Sequence, residues 1–479
     1  MNKLFSKGPA YYVHCVISLF LMFVLPHLVT VSGESGLTQT GAEMLCVLAG
    51  MVWGYLFCGM IFSGIFTLLA MGLTSYTSVY GALGAAFGSP VLWMMVAFGG
   101  YCGIFSASGV SDWMAKKIIS AKIGHGHPWI LAALVFLSMF IIGGFTVGLV
   151  MMFAVWEIIY KMGENWGLGK DSDYMKFLIA GIPFVVLLCG SCLPFSAYSI
   201  SYIGIHESYT GQVWSGAQYT GFVLPLMLIS MFAYILVARF LFKIDTKVIK
   251  EYRVEFDIPK LTTYQKIVLA SLIVLVVACF AVSVLPASWG ITIFLNKLGV
   301  FGIIFAIDAI LAMCAFAQGE PFSKSMAKGL SFDLYFGLGA VMAIAAAISS
   351  PDCGISAWLE GLLTPIASNM SSTVFIIFIL LMAAVLTQIS SNTVVIVLFA
   401  TIVYSMADKM GYNPGVVFLL LTCVGNTAVV TPAACPVAGI GFANEWLTSK
   451  DATKYGVVEC LVTFIVCLVI GIPLGAIMF

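Results

Sequence analysis

Charge-free apolar runs of about 20 residues recur from one end of this chain to the other. A helix of that length crosses the roughly 30 Å hydrocarbon core of a bilayer, and in lipid only a helix or a closed barrel satisfies its own backbone. Eleven runs qualify, at about 11–32, 40–59, 61–86, 89–107, 177–204, 216–241, 265–287, 299–318, 331–350, 415–441 and 456–478. Two more apolar segments, 129–160 and 370–407, fit that count badly. With 61% apolar and 9% charged residues, the chain has too little polar surface for a water-soluble globule. An all-α polytopic membrane protein is expected, with a lipid bilayer as its solvent and no nucleic-acid partner.

The basic residues decide how the two awkward segments run. With a cytoplasmic N-terminus and both segments entering and leaving on one face, every Lys and Arg except Lys297 and Lys409 falls on the cytoplasmic side. That is the asymmetry of the positive-inside rule. Drawing either segment as a single crossing inverts every later loop and destroys the sorting, so both are expected to be re-entrant hairpins. Lys3 and Lys7 precede an apolar run from Tyr11 with no convincing small-residue cleavage site after it, so an uncleaved first helix is expected. The expected location is a cell membrane, crossed many times.

An internal echo supports this plan. Gly109-Val110-Ser111-Asp112-Trp113-Met114 is matched by Gly354-Ile355-Ser356-Ala357-Trp358-Leu359, each ahead of a hairpin segment. Gly190-Ser191-Cys192-Leu193-Pro194 corresponds in place to Thr431 through Pro436. After a first helix and outer loop (1–38), the reading gives an N-terminal repeat (39–241, hairpin 129–160), a cytoplasmic linker (242–264) and a C-terminal repeat (265–479, hairpin 370–407). An odd number of crossings per half makes the repeat inverted.

Chemistry is expected at the hairpin tips, where two half-depth loops meet near the midplane. Thr387-Gln388-Ile389-Ser390-Ser391-Asn392-Thr393 interrupts an otherwise apolar run. Hydroxyls and amides buried in hydrocarbon cost several kcal/mol unless they find partners or ligands. Hydroxyls bonded back to their own helix, leaving a mere turn, are the competing reading. Pro194, and Pro432 with Pro436, fall inside the spans that follow each hairpin. Proline removes a helical hydrogen bond and frees carbonyls, and such backbone is tolerated at depth where it lines a cavity.

The Ser391-Asn392-Thr393 tip, the Thr431-Pro432-Ala433-Ala434-Cys435-Pro436 break, the Gly36-Leu37-Thr38 segment and the repeated hairpins together resemble the divalent anion/sodium symporter family. The resemblance implies a secondary transporter working by an elevator-type movement in a homodimer, with Na+ as coupling ion and a small organic anion as substrate. It implies that Thr387, Ser390 and Asn392, with backbone near Ala433 and Ala434, line a sodium site. Asn392, Thr393 and Ser391 would then contact the anion, with Pro194 and Pro436 at the breaks beside it. The first hairpin departs from the family pattern: where another Ser-Asn-Thr belongs, the chain reads Ser138-Met139-Phe140-Ile141-Ile142-Gly143-Gly144-Phe145-Thr146. Gly143 and Gly144 can still present backbone amides to an anion. A first sodium site would depend on Ser138 with Thr146 or Ser191, leaving open both ion stoichiometry and the choice between di- and monocarboxylate.

Asp308, in the middle of the eighth span, is read either as a proton-binding acid or as a neutral strut between scaffold helices. Glu157 and Lys161 stand four apart, the spacing of a helical ion pair. The thirteen cysteines show no disulfide spacing, and Cys189 and Cys192 lack a thioredoxin-like surround. No hydrolase, P-loop or metalloprotease motif is present, so no enzyme is expected. Sodium-independent exchange, proton coupling and a passive anion channel are the alternatives, and counterflow separates carrier from channel.

Overall fold

The computed structural model describes every residue except 1–7, 32–35, 147, 248, 250–255, 257, 287, 318–320, 356, 359, 360, 362–369, 390, 391 and 433. It is helical throughout, with no strand among the described residues. In chain order the helices are α1 (Pro9–Leu28), α2 (Gln39–Phe57), α3 (Met60–Met71), α4 (Val79–Phe87), α5 (Pro90–Ala107), α6 (Val110–Ile119), α7 (Pro128–Gly143), α8 (Gly148–Trp166), α9 (Asp173–Cys189) and α10 (Ala197–Thr210). Then come α11 (Gly216–Phe240), α12 (Thr263–Val284), α13 (Gly290–Ala317), α14 (Phe322–Lys328), α15 (Phe332–Ser349), α16 (Ser372–Leu386), α17 (Asn392–Met406), α18 (Pro414–Gly425), α19 (Pro436–Phe442) and α20 (Ser449–Met478).

Among the described residues, α1, α2, α11, α13 and α20 are each long and apolar enough to cross a bilayer. Val79–Phe87 and Leu92–Ala107 act as a further pair bent by 49°. The expected run 61–86 is not one helix: α3 stops at Met71 and α4 starts after the Ser78 cap. The run 177–204 is likewise split, into α9 and α10 across residues 190–196, and 415–441 into α18 and α19 across 426–435. The two hairpin segments are helix pairs, α7 with α8 and α16 with α17. Arms α7, α16 and α17 have 16, 15 and 15 residues, about 22–24 Å each and short of a bilayer core.

Helix starts carry caps where the chain leaves polar loops. Ser215 with Gln218, Thr262 with Gln265 and Thr448 with Asp451 form capping boxes, and Asn413 caps α18 ahead of Pro414. Each cap satisfies amides that the first helical turn leaves without partners. The echoed glycines share a backbone as well as a sequence. Gly109 (φ 75°) and Gly354 (φ 63°) are both left-handed, a conformation glycine adopts without penalty. Their carbonyls accept from the Trp113 and Trp358 amides at 3.2 and 3.0 Å. Ser356 and Leu359 of the second copy lie outside the described residues.

Packing sorts the helices. Helices α1–α5 and α12–α15 contact one another, as in α3 on α15, α12 on α13 and α5 on α13. The first hairpin packs on α9, the second on α18, and α20 packs on both α9 and α11. Helix α10, lying on α5 and α15, joins these groups. Pro183 inside α9 removes the amide that would bond the Ile179 carbonyl. The Trp156 indole of α8 donates to that carbonyl at 3.0 Å, tying hairpin to broken helix.

Candidate functional site

Break two, Asn426 to Cys435, has its backbone accounted for by side chains of the second hairpin and α20. The Thr387 hydroxyl donates to the last helical carbonyl, Gly425, at 2.7 Å. The Gln388 amide nitrogen donates to the Thr427 carbonyl at 3.0 Å and its oxygen accepts from the Val430 amide at 3.0 Å. The Thr431 hydroxyl returns a bond to the Gln388 carbonyl. Cys435 donates to Ala428 at 3.3 Å and Thr453 to the Val430 carbonyl at 3.3 Å. The irregular chain is thus bonded at the Thr427, Ala428 and Val430 backbone, as buried backbone requires.

Asn426, 1% exposed, is the joint between the halves. Its side-chain oxygen accepts from the Asn392 amide and from the Tyr202 hydroxyl, both at 3.2 Å. Its nitrogen donates to the Leu187 carbonyl at 2.5 Å and reaches Ser191 Oγ at 3.4 Å. One side chain therefore connects the second tip, the end of α9, break one and α10. Break one, Gly190 to Ser196, is folded on itself. Ser196 exchanges bonds with Leu193, Ser199 also donates to the Leu193 carbonyl, and Tyr219 holds the Ser191 carbonyl at 2.8 Å. A second bridge runs from α10 to α17, with His206 Nδ1 2.7 Å from the Tyr404 hydroxyl and the Tyr209 hydroxyl 2.7 Å from Thr401.

The first tip is built differently. Ser138 donates to its own Val135 carbonyl at 2.7 Å, and Thr146 to Ile142 at 3.0 Å. Gly143 sits so close to Met139 and Cys189 that an added Cβ would lie 2.6 and 2.7 Å from their outer atoms. Phe145 faces Phe195 of break one, with ring centres 6.1 Å apart.

Of the residues singled out from sequence, Thr387, Asn392 and Ser191 are drawn into one network through Gly425, Asn426 and Leu187. Thr393 is half-buried beside Asn392, Ala434 is buried in break two, and Pro436 opens α19 with an exposed ring. Gly143, Gly144 and Pro194 are buried at the first tip and break one. Ser138 and Thr146 are spent on their own helix and its tip, apart from that network. Ser390, Ser391 and Ala433 lie outside the described residues. Among the described residues, the polar link between the second tip and the first half runs to the end of α9, break one and α10 by way of Asn426, beside the α10–α17 bridge. Asn426 and Tyr202 make this link, whereas Gln388 ties break two to the hairpin of its own half. The adjacent polar pair Asn426-Thr427, directly after an apolar run, was the available signal for the first.

Cys189 and Cys192 are buried, free and bonded back to Val186 and Leu188 at 3.2 and 3.0 Å. The Glu157–Lys161 pair forms at 2.7 Å on an exposed face.

Long apolar helices, two broken helices and a helical hairpin clasping each mark a polytopic membrane protein. Residues 204–479, more than half the chain, match the family described as the sodium:sulfate symporter transmembrane region, and the chain belongs to that family. This agrees with the divalent anion/sodium symporter resemblance of the second tip and break. The match includes the second hairpin and break two and begins beyond the first hairpin and break one. Mouse solute carrier family 13 member 2 is 28% identical over 133 residues, 28% of this chain and 22% of the relative. Its human counterpart is 30% identical over 155 residues (32% and 26%), and human Na(+)/dicarboxylate cotransporter 3 is 27% identical over 105 residues (22% and 17%). The matched stretch thus spans about a quarter or less of those relatives. The crystal structure of the Alcanivorax borkumensis YdaH transporter is similar in fold over 98% of both chains, with a TM-score of 0.59 and 14% identity.

Proposed function

We propose that this protein is a secondary active transporter of a small organic anion, a di- or monocarboxylate, coupled to sodium and working as an elevator in a homodimer of the cell membrane. The observation that carries the reading is the Asn426 joint, which fastens the second tip to break one through Asn392, Leu187 and Ser191. A carrier needs such a closed, polar, internally satisfied junction at depth, where each bond remade on substrate binding shifts the balance between states.

In this reading the anion sits at the N-terminus of α17, which begins at Asn392 and presents the positive end of a 15-residue helix. Asn392, Thr393 and Ser391 contact it from one side, and Gly143, Gly144 and Thr146, with Pro194 and Pro436 at the breaks, close the other. Sodium is held by Thr387, Ser390 and Asn392 and by backbone near Ala433 and Ala434, all oxygen donors suited to a hard cation. Ser138 and Ser191 belong to a weaker first ion site, because the Ser138 hydroxyl is already committed to Val135.

The relatives' printed names point to sodium-linked dicarboxylate transport, which motivates the test. Purified protein in liposomes is offered labelled small carboxylates and sulfate, with and without a sodium gradient, and counterflow is measured. Sodium-stimulated uptake with trans-stimulation by unlabelled substrate supports the proposal. Uptake that is indifferent to sodium and shows no counterflow overturns it in favour of a channel.

A further inference from the structure

The last helix carries an acid that neither tip nor break uses. Glu459, nearly three turns into α20 by the roughly 3.6-residue period, is 1% exposed. Its Oε1 has no hydrogen-bond partner. The carboxyl group lines a cavity of about 20 Å³ shared with Ala180 and Pro183 of α9, Val429 of break two, and Ala438 and Gly441 of α19. That is room for about one water molecule. The space owes its shape to close approaches: a Cβ added at Gly441 would lie 3.0 Å from the Pro183 ring, and one added at Gly456 would lie 2.5 Å from the Val429 carbonyl oxygen.

Among the described residues nothing cationic answers this acid. Tyr234 of α11, whose hydroxyl donates to the Phe177 carbonyl at 3.3 Å, and Tyr455 and Cys460 of its own helix are the titratable groups beside it. Among the described residues α9, α16, α18 and α19 bring no charged group to it. The nearby lysines are engaged elsewhere: Lys176 pairs with Asp451 at 3.2 Å, and Lys454 lies over the Phe242 ring at 4.4 Å. An ionised carboxylate buried without a partner costs several kcal/mol, so the group must bind a cation or a proton. Apart from Glu459 itself, every residue lining the cavity is apolar or glycine. A sodium ion asks for several more oxygen ligands than that, whereas a proton asks for none.

We propose that Glu459 is a proton-binding site within the hairpin-bearing part of the carrier, taking up and releasing one proton per transport cycle. The carboxylate gains a proton from one aqueous face through the cavity, crosses as a neutral acid and gives the same proton to the other face. Only an O–H bond is made and broken. The idea deepens the carrier reading and rests on it for the transport step, with the cavity beside break two supplying the link: binding at the break and protonation share Val429.

Two measurements test it. In liposomes, an imposed pH gradient drives accumulation of a transported carboxylate by the wild-type protein, and Glu459→Gln loses that accumulation while retaining exchange of labelled for unlabelled substrate. Accumulation by Glu459→Gln equal to wild type, or none driven by the gradient in wild type, overturns the proposal. Independently, infrared spectra of the wild-type protein in membranes show a protonated-carboxyl band that Glu459→Gln removes and Asp308→Asn, at the other buried acid, leaves in place. Absence of that band, or its loss on adding sodium at constant pH, overturns the proton in favour of a metal cation. If no offered carboxylate is transported at all, the carrier reading is what fails, and the infrared band still decides whether Glu459 holds a proton.

Discussion

The two hairpins share a plan and differ in what their tips are made of. At the second, Thr387, Gln388 and Asn392 reach out of their own helices to Gly425, Thr427, Val430 and Asn426. At the first, Ser138 and Thr146 bond back to Val135 and Ile142, Gly143 packs on Cys189 at the end of α9, and Phe145 meets Phe195 of break one. One tip is fastened by directional bonds that can be exchanged for ligand bonds. The other is fastened by close packing, which holds position and offers an incoming ion few side-chain oxygens. In the proposed function specificity therefore falls to the second half, which is also the part that matches the family along its whole length.

The comparison breaks first if the joint between halves can be removed without consequence. Asn426→Ala strips four buried groups of a partner at once: the Asn392 amide, the Tyr202 hydroxyl, the Leu187 carbonyl and Ser191. Misplacing a binding tip by about 1 Å is enough for roughly 100-fold, and that is the expected fall in initial uptake, with normal membrane insertion. Asn392→Ala is expected to match it, since either substitution removes the bond that fastens the second tip. Uptake near wild type in either variant would remove the second tip from the site.

Gln388→Ala comes next. It releases the Val430 amide and the Thr427 carbonyl inside break two while leaving Asn426 in place. Unmet buried groups cost about 1–3 kcal/mol each, partly recovered by relaxation. A stability loss of about 2 kcal/mol in thermal unfolding and roughly tenfold slower uptake are expected. Gln388→Glu keeps the acceptor for Val430 and loses the donor, so it should fall between the two.

Much of this architecture could be read in the sequence because lipid enforces it. Apolar periodicity located the helices, polar residues in an apolar run located the tip at 387–393, and Gly109 and Gly354 announced matching left-handed turns. A reading built on charge-free runs could not locate breaks that carry no charge. Gly72 to Ser78 interrupts an apolar stretch with small residues and hydroxyls, and the split into α3 and α4 was invisible to it. The joint at Asn426 escaped because prolines drew attention downstream, to 431–436, whereas α18 ends at Gly425. Glu459 escaped for a different reason. The last span was expected to start near 456, which leaves an acid at 459 at the membrane surface, but α20 begins at Ser449 and carries it inside.

The packing side of the contrast predicts an intermediate response to added volume. Gly143→Ala places a methyl group against Met139 Cε and Cys189 Sγ at 2.6 and 2.7 Å. The Met tip can swing aside, so a cost of about 1 kcal/mol and a loss of uptake of a few-fold are expected, growing with Gly143→Val. Restoration by Met139→Ala in the same chain would show that crowding, and not a lost amide contact to an anion, is responsible.

The smallest effect is reserved for the hydroxyls of the first tip. Ser138→Ala and Thr146→Val each delete a bond to a carbonyl of the same helix or its last turn. The Ile142 carbonyl keeps its bond from the Phe145 amide at 3.0 Å. A back-bonded hydroxyl contributes little, so each change should cost under about 1 kcal/mol in thermal unfolding. Sodium dependence is the sharper reading. If these hydroxyls hold no ion, the sodium concentration for half-maximal uptake and its cooperativity are the same in both variants and in the double variant. A shift of about tenfold in either variant would mean that the hydroxyl leaves its own helix to bind sodium during transport, and the two tips would then differ in the state seen here and not in the work they do.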